Sequence, residues 1–385
     1  MADRDLFSPE HEAFRSTVRR FVEEEVVPYH YEWEKQRGFP RELWRKAGEL
    51  GLLCCSVPVE YGGLGADWLY NVVVIEEFWR AGMSGPGSAF MVHSEIVTPY
   101  VLDGGSEELK RYWLPRMISG EAIGALGMTE PGGGSDVQNI RTSAVKEGDH
   151  YVVNGQKIFI SNGISCDFVI LATKTDRTAR AKGISLLLVE ATRKGFAKGR
   201  SLEKIGAHAA ELAELFFEDV RVPVGNLVGE ENGGFAVLMG NLVPERLSQA
   251  VRSVMVCEAV LAWTVKYTRE RPAFGKTVAD FQNTQFVLAD LDTKITSARI
   301  FTDWCIRRHM ERKLGPVDTA KVKLLSTELQ GEVCDKCLQF FGGYGYMREF
   351  PVGRAFVDAR FARIAGGTAE IMKQIIGRDL YKRAE

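Results

Sequence analysis

Three stretches of the chain, 234–270, 279–312 and 318–341, are each longer than a common globular helix. Arg271-Pro272 and Gly315-Pro316 separate them, and proline stops a helix because it lacks an N–H and clashes with the preceding turn. Long amphipathic helices with short connections make a bundle, so the C-terminal part, 233–385, reads as a four-helix-bundle-like domain. The first part, 1–122, is also helical. Ser8-Pro9-Glu10 is a helix start, and Phe14, Val18, Phe21 and Val22 then recur at helical spacing. Pro28 ends or bends that helix. Further helices fit 40–50, 67–81, 89–102 and 106–119, broken by glycine-rich runs such as Tyr61-Gly62-Gly63-Leu64-Gly65. Ser84-Gly85-Pro86-Gly87-Ser88 is rich in small residues and Pro99 can interrupt a helix; room for a bound ligand tail accounts for this, and a loop followed by a bent structural helix accounts for it as well. The segment 123–232 changes texture. Tyr151-Val152-Val153 and Lys157-Ile158-Phe159-Ile160 flank Asn154-Gly155, a hairpin signal, and 168–172, 184–189 and 212–217 are further strands. The expected class is α+β: an N-terminal α-helical domain, a middle β-barrel or sandwich, and a C-terminal α-helical bundle.

Composition narrows the function. The formal net charge is −2, which gives neither nucleic acid nor a membrane surface the basic face it needs. No apolar run approaches the ~18 to 20 residues that span a bilayer. The N-terminus, MADRDLFSPEH, has no apolar signal region and no arginine-rich transit pattern, so the expected location is cytoplasmic, with a mature mitochondrial matrix form the alternative. Seven cysteines without a spaced framework fit a reduced protein, and Cys334 and Cys337 read as core thiols within a helix. The histidines at 11, 30, 93, 150, 208 and 309 are scattered, so no metal is expected. The dinucleotide pattern G-x-G-x-x-G is absent. Gly275-Lys276-Thr277 imitates the end of a P-loop, but Glu270 holds the place of its first glycine. Neither H-E-x-x-H nor G-x-S-x-G occurs.

The segment Leu126–Asp136, LGMTEPGGGSD, lies where the helical texture gives way to strands. Gly132, Gly133 and Gly134 let backbone approach a flat or charged ligand closely, and Thr129 and Ser135 add hydroxyls that both donate and accept. With α, β and α regions in this order, this segment resembles the acyl-CoA dehydrogenase family. KIFISNG (157–163) is similar to the family's flavin-facing strand. RPAFGKTVADFQ (271–282) and QFFGGYG (339–345) are similar to its pyrophosphate and adenine segments, and GGTAE (366–370) to its C-terminal flavin loop. The C-terminal third resembles the long-chain branch.

The resemblance implies noncovalent FAD, an acyl-CoA substrate, a homotetramer, and an electron-transferring flavoprotein as acceptor. The reaction it implies is α,β-dehydrogenation to a trans-2-enoyl-CoA in fatty-acid or branched-chain catabolism, on a long or branched acyl group. An acyl-CoA oxidase, a silent flavoprotein and an acyl carrier protein thioester are the alternatives. On the same resemblance, Leu126, Met128, Thr129, Gly134, Ser135, Phe159, Ile160, Ser161, Thr368 and Glu370 would meet the FAD. Arg271, Phe274, Phe281, Gln282, Gln339, Gly342 and Gly343 would contribute to FAD binding, with Arg271, Phe274, Gln282 and Gln339 reaching the FAD of a neighbouring subunit. Ser135, Lys182, Val243, Arg246, Gly366 and Gly367 would line the substrate site, although Lys182 reads equally as a solvated loop charge. The usual family base, a glutamate before the Gly-Thr of the C-terminal loop, is replaced here by Gly366. The long-chain and isovaleryl branches carry the base as a glutamate preceding an arginine on the first bundle helix. This chain has Val243-Pro244-Glu245-Arg246 there, which makes Glu245 the expected base. Thioester oxidation needs a base for the α-proton, hydrogen bonds to the carbonyl oxygen and a hydride acceptor. Gly366 keeps its backbone N–H for the second task. Without the resemblance, Glu245 reads as a solvated helix carboxylate.

Overall fold

The computed structural model describes residues 4–383. The N-terminal helices are α1 (Pro9–Phe21), α2 (Val27–Gln36), α3 (Glu42–Glu49), α4 (Trp68–Arg80), α5 (Ser84–Met91), α6 (Thr98–Gly104) and α7 (Glu107–Ile118). Strands follow: β1 (Gly124–Gly127), β2 (Ser143–Glu147), β3 (His150–Ser161), β4 (Phe168–Lys174), β5 (Ile184–Glu190), β6 (Phe196–Ser201), β7 (Leu212–Pro223) and β8 (Leu227–Val228). The C-terminal part holds α8 (Gly234–Glu270), a short hairpin β9 (Pro272–Ala273) and β10 (Lys276–Thr277), then α9 (Gln282–Met310), α10 (Pro316–Phe341), α11 (Pro351–Ala362) and α12 (Ala369–Lys382).

Local chemistry sets these limits. Ser8 caps α1: its hydroxyl accepts from the His11 N–H, and the His11 ring answers the Ser8 N–H. Pro316 opens α10 in its first turn, and Pro272 closes α8. Two sequence expectations fail. Asn154-Gly155 is not a hairpin tip. β3 runs straight through it, and the turn lies at Gly148-Asp149. The pair instead marks a bulge against β7, where Asn154 and Asp219 exchange two hydrogen bonds of 2.9 Å. Gly155 is required there because a Cβ would sit 2.5 Å from the Thr142 hydroxyl. The small-residue run 84–88 is also not a loop. It is helix α5, packed so closely that a Cβ on Gly87 would press on Phe78 and Trp79. The helix expected over 89–102 is split by a π-turn at Val92–Val97, just before Pro99.

The strands form two halves, β6-β7-β3-β2 and β1-β4-β5-β8, joined through one pairing of Ser143 with Lys174. Inward residues of both halves, such as Tyr151, Val153, Val169, Leu187 and Leu215, share one apolar core. A second, larger core runs from α1 through the other face of β4 and β5 into the bundle. Helix α8 crosses that larger core and packs on α4, α9, α10 and α11. Cys334 and Cys337 are free thiols buried within the same core, as expected.

Candidate functional site

Glu245 lies on α8 where that helix passes the loop between α11 and α12. Pro244 precedes it inside the helix, and Ser248 Oγ donates to the Pro244 carbonyl at 3.1 Å. The side chain is 8% exposed, and Oε2 has no hydrogen-bond partner among the described residues. Burial pushes its pKa up to about 7, against the pull of Arg246 and Lys323. The loop facing it is held by two cations. Arg246 Nε donates to the Gly366 carbonyl at 3.1 Å, and Lys323 Nζ donates to the Gly367 carbonyl. Gly366 and Gly367 have φ of +65° and +97°, a region where a side chain is strained. A Cβ on Gly366 would lie 3.7 Å from Glu245 Oε1, so carboxylate and loop are neighbours. The Gly366 N–H has no protein acceptor among the described residues.

Glu245, Arg246, Gly366 and Gly367 are therefore brought together, and Val243 sits half-buried two residues before the carboxylate. Arg246 is buried and holds the loop; no solvent-facing position for a phosphate is seen at its guanidinium. Sequence reasoning missed three members. Lys323 is fully buried on α10, Gln249 lies one turn along α8 beside Gly366, and the Tyr100 hydroxyl on α6 has no partner and is raised by burial and by Glu245. A lysine between apolar Val322 and Leu324 is the signal that could have flagged the first. Tyr100 and Gln249 carried none.

The expected flavin ledge is a second group. Glu130 and Lys157 pair at 2.8 Å with the lysine completely buried, and Lys157 also donates to the Met128 carbonyl at 3.1 Å. Desolvation would raise Glu130, but Lys157, Thr142 and the Arg141 N–H hold it below the usual range. This pair fastens the segment after β1 to β3, as does the 3.0 Å bond from the Ile158 N–H to the Thr129 carbonyl. A bulge in β3 then turns Phe159 outward, at φ +61° and 58% exposed. Ile160 points the other way, into the β-domain core, so only its backbone remains for a ligand. Leu126, Met128, Thr129 and Ser161 are half-buried; Gly134 and Ser135 are exposed. A flat ring system fits this ledge, since the Phe159 ring stands uncovered and the glycine run after Thr129 is open: a Cβ on Gly132 would meet nothing. Thr368 caps α12 by accepting from the Ile371 N–H, and Glu370 is exposed in its first turn.

A third group gathers at one end of the bundle. Arg271 lies 5.6 Å over the Tyr344 ring, and Phe274 meets Phe281 edge-on at 6.3 Å. Gln282, Gln339, Gly342 and Gly343 are exposed around them, and Phe274 is 97% exposed. Among the described residues this group has no hydrogen bond to Thr129, Phe159 or Ser161. Lys182 stands exposed on a 3₁₀ turn that packs against the Val137–Asn139 turn just beyond Ser135.

Comparison with known proteins agrees with the helical, sheet-rich and helical order of the fold. The acyl-CoA dehydrogenase N-terminal, middle and C-terminal domain models match residues 8–121, 125–220 and 232–381. The long-chain specific acyl-CoA dehydrogenase of Sus scrofa mitochondria is 48% identical over 98% of this chain and 88% of its own length. The mitochondrial isovaleryl-CoA dehydrogenase of Pongo abelii is 38% identical over 96% and 88%. The crystal structure of an acyl-CoA dehydrogenase from Geobacillus kaustophilus superimposes with a TM-score of 0.96 at 45% identity, covering 98% of this chain and all of that one. With every domain matched in order, the chain belongs to the acyl-CoA dehydrogenase family, flavin-dependent oxidoreductases that use FAD.

Proposed function

We propose that the chain oxidises a long or branched acyl-CoA to its trans-2-enoyl-CoA, with Glu245 as the base at C2. One observation carries this reading: a buried carboxyl oxygen without a partner, next to a glycine loop whose N–H is also free. A base titrating near neutrality takes a proton more readily than a solvated carboxylate and still gives it up. The free Gly366 N–H supplies a donor for the thioester oxygen as charge builds on it. Arg246 and Lys323 fix that N–H by gripping the two carbonyls of the same loop. Bound FAD supplies the acceptor for the β-hydride. Leu126, Met128, Thr129, Phe159, Ser161 and Thr368 would hold it, with the Glu130–Lys157 pair stiffening the ledge beneath.

The exposed aromatic end around Phe274 supports a second subunit covering it, in a homotetramer where Arg271, Gln282 and Gln339 complete a neighbour's FAD site. An electron-transferring flavoprotein as acceptor belongs to the same proposal. So does a reducing compartment, cytoplasm or mitochondrial matrix, supported by seven cysteines that are all unpaired. Anaerobic addition of acyl-CoA to the holoenzyme tests the reading: the yellow flavin bleaches in wild type and stays oxidised in Glu245→Gln. Normal bleaching by that variant would overturn it.

A further inference from the structure

Beyond Glu245, the same face of α8 stays polar for two turns and then becomes apolar. Gln249 follows one turn on, Arg252 the next, and Val256 the turn after, at helical spacing. The Arg252 guanidinium is 4% exposed and donates to no protein acceptor among the described residues. Trp79 and Phe361 hold it between their rings, at 5.6 and 5.4 Å, and so fix its orientation. It borders a cavity of about 30 Å³ that is also lined by Gln330, Ser84 and Asp358. Gln330 Oε1 has no partner either. That volume admits roughly two water-sized groups, the bulk of a carboxylate head and not of an alkyl tail.

The charges around this cavity leave a positive surplus. Asp358 already accepts from the Ser84 hydroxyl and from the Ala207 N–H, and it faces Arg354, Lys204 and His208 as well as Arg252. Glu34, the other buried acid nearby, faces Arg348 at 3.6 Å and Arg354 at 3.9 Å. The four cations Arg252, Arg354, Arg348 and Lys204 thus face three carboxylates, Asp358, Glu34 and, at Lys204, Glu211. Burial presses the Arg252 pKa down to about 10, against the pull of Asp358, so the group stays charged at neutral pH. A buried guanidinium with unused donors is costly unless an acceptor meets it.

We propose that this cavity recognises a carboxylate at the far end of the acyl chain, so that the preferred substrates are CoA monothioesters of α,ω-dicarboxylic acids. The inference rests on the reading of Glu245 as the base. Arg252 lies seven residues beyond Glu245, about 10 Å along the helix axis. An acyl chain of single bonds near 1.5 Å, each advancing less than its length, covers that span in roughly eight bonds. Gln249 lies between the two on the helix. Arg252 sets specificity here and takes no part in the bond-breaking step.

The test compares CoA monothioesters of dicarboxylic acids, graded in length, with unsubstituted and ω-hydroxy acyl-CoAs of the same lengths, on the tetramer as purified with its flavin. Wild type should show the highest kcat/KM for an ω-carboxy chain of one intermediate length. Arg252→Met should lower that value ~10- to 100-fold, the worth of a charge-assisted hydrogen bond, and leave unsubstituted chains nearly unchanged. Arg252→Lys, which keeps charge but loses the fork, should fall between. Melting of Arg252→Met without ligand should be unchanged or higher, since an unpaired buried charge is removed. A lower melting temperature with equal loss on all substrates would mark Arg252 as merely structural and sink the proposal. Equal use of ω-hydroxy and ω-carboxy chains, or a selectivity identical in wild type and Arg252→Met, would do the same. Bleaching by unsubstituted chains alone overturns this inference and spares the base; bleaching by no acyl-CoA overturns the base.

Discussion

Two buried glutamates, Glu76 at the junction of α4 with the bundle and Glu245 beside the Gly366 loop, differ in one respect that decides their chemistry. Both are almost wholly withdrawn from water. Glu76 is met by three arginines: Arg4 at 2.6 Å, and Arg15 and Arg299 at 2.9 Å each. Desolvation alone would raise its pKa, but Arg299, Arg4 and Arg15 draw it down to about 2. Arg299 in turn forks onto Glu258, at 2.8 and 2.7 Å. This network ties the N-terminal helices to α8 and α9. Glu245 has cations near it as well, but both are turned to the loop carbonyls, so burial prevails and the group rises to about 7. Equal burial gives a permanent anion where partners converge and a titrating acid where they are spent elsewhere.

Breaking the titrating side should have the largest effect. Glu245→Gln should slow flavin reduction ~10²- to 10⁴-fold, the usual contribution of a positioned general base, measured by anaerobic stopped flow. The fold should survive, since the amide is neutral and no protein partner is lost. Breaking the paired side should do the reverse. Arg299→Met leaves Glu76 and Glu258 short of a partner and should lower stability by ~3–5 kcal/mol, read by denaturant unfolding. Folded holoenzyme of that variant should still bleach with substrate. A variant that is stable and fully active would show that the network contributes nothing.

The pH dependence sharpens the same contrast. The folded pKa of Glu245 lies above its ordinary value of 4.5, so its share of stability is complete below 4.5 and is lost as pH rises through about 7. The loss amounts to about 3 kcal/mol, and it should vanish in Glu245→Gln. Glu76 runs opposite: its share is present above 4.5 and is lost as pH falls through about 2. Unfolding free energies of wild type and Glu245→Gln should therefore converge in acid and separate toward pH 8. Curves parallel over that range would deny the raised pKa.

How much of this was legible beforehand follows from what each residue reports. The long helices were visible because apolar spacing and proline stops are local signals, and Gly234–Glu270 is the expected stretch. Asn154-Gly155 misled because its left-handed geometry serves a bulge as well as a turn, and the partner that decides, Asp219 on β7, is remote in sequence. The run at 84–88 misled for a related reason: its small residues let α5 pack closely, a tertiary demand that overrides weak helix propensity. At the site, Glu245 was found through its motif. Its burial, its free oxygen and its neighbours Tyr100, Lys323 and Gln249 come from three helices and a loop meeting, which no single segment encodes. Arg252 looked like any helical arginine until its surroundings were known.

The smallest predicted effect comes from a third buried acid that shares the pKa but not the circumstances. Glu95, in the π-turn before α6, is also pushed up to about 7 by burial, against hydrogen bonds from Trp68 and Asn71. Its Oε2 accepts from Trp68 Nε1 at 2.8 Å. A carboxyl whose acceptor sites are occupied is poorly placed to take a proton from carbon, whatever its pKa. Glu95→Gln keeps the acceptor for the indole and removes a charge that burial disfavours. It should change flavin reduction less than threefold and stability by no more than ~1 kcal/mol, the net worth of one hydrogen bond. Above pH 7 the change should favour the variant, since the wild-type group must ionise in a desolvated place. A large loss of flavin reduction in Glu95→Gln with Glu245 intact would mean that the raised pKa marks the base and the free oxygen does not.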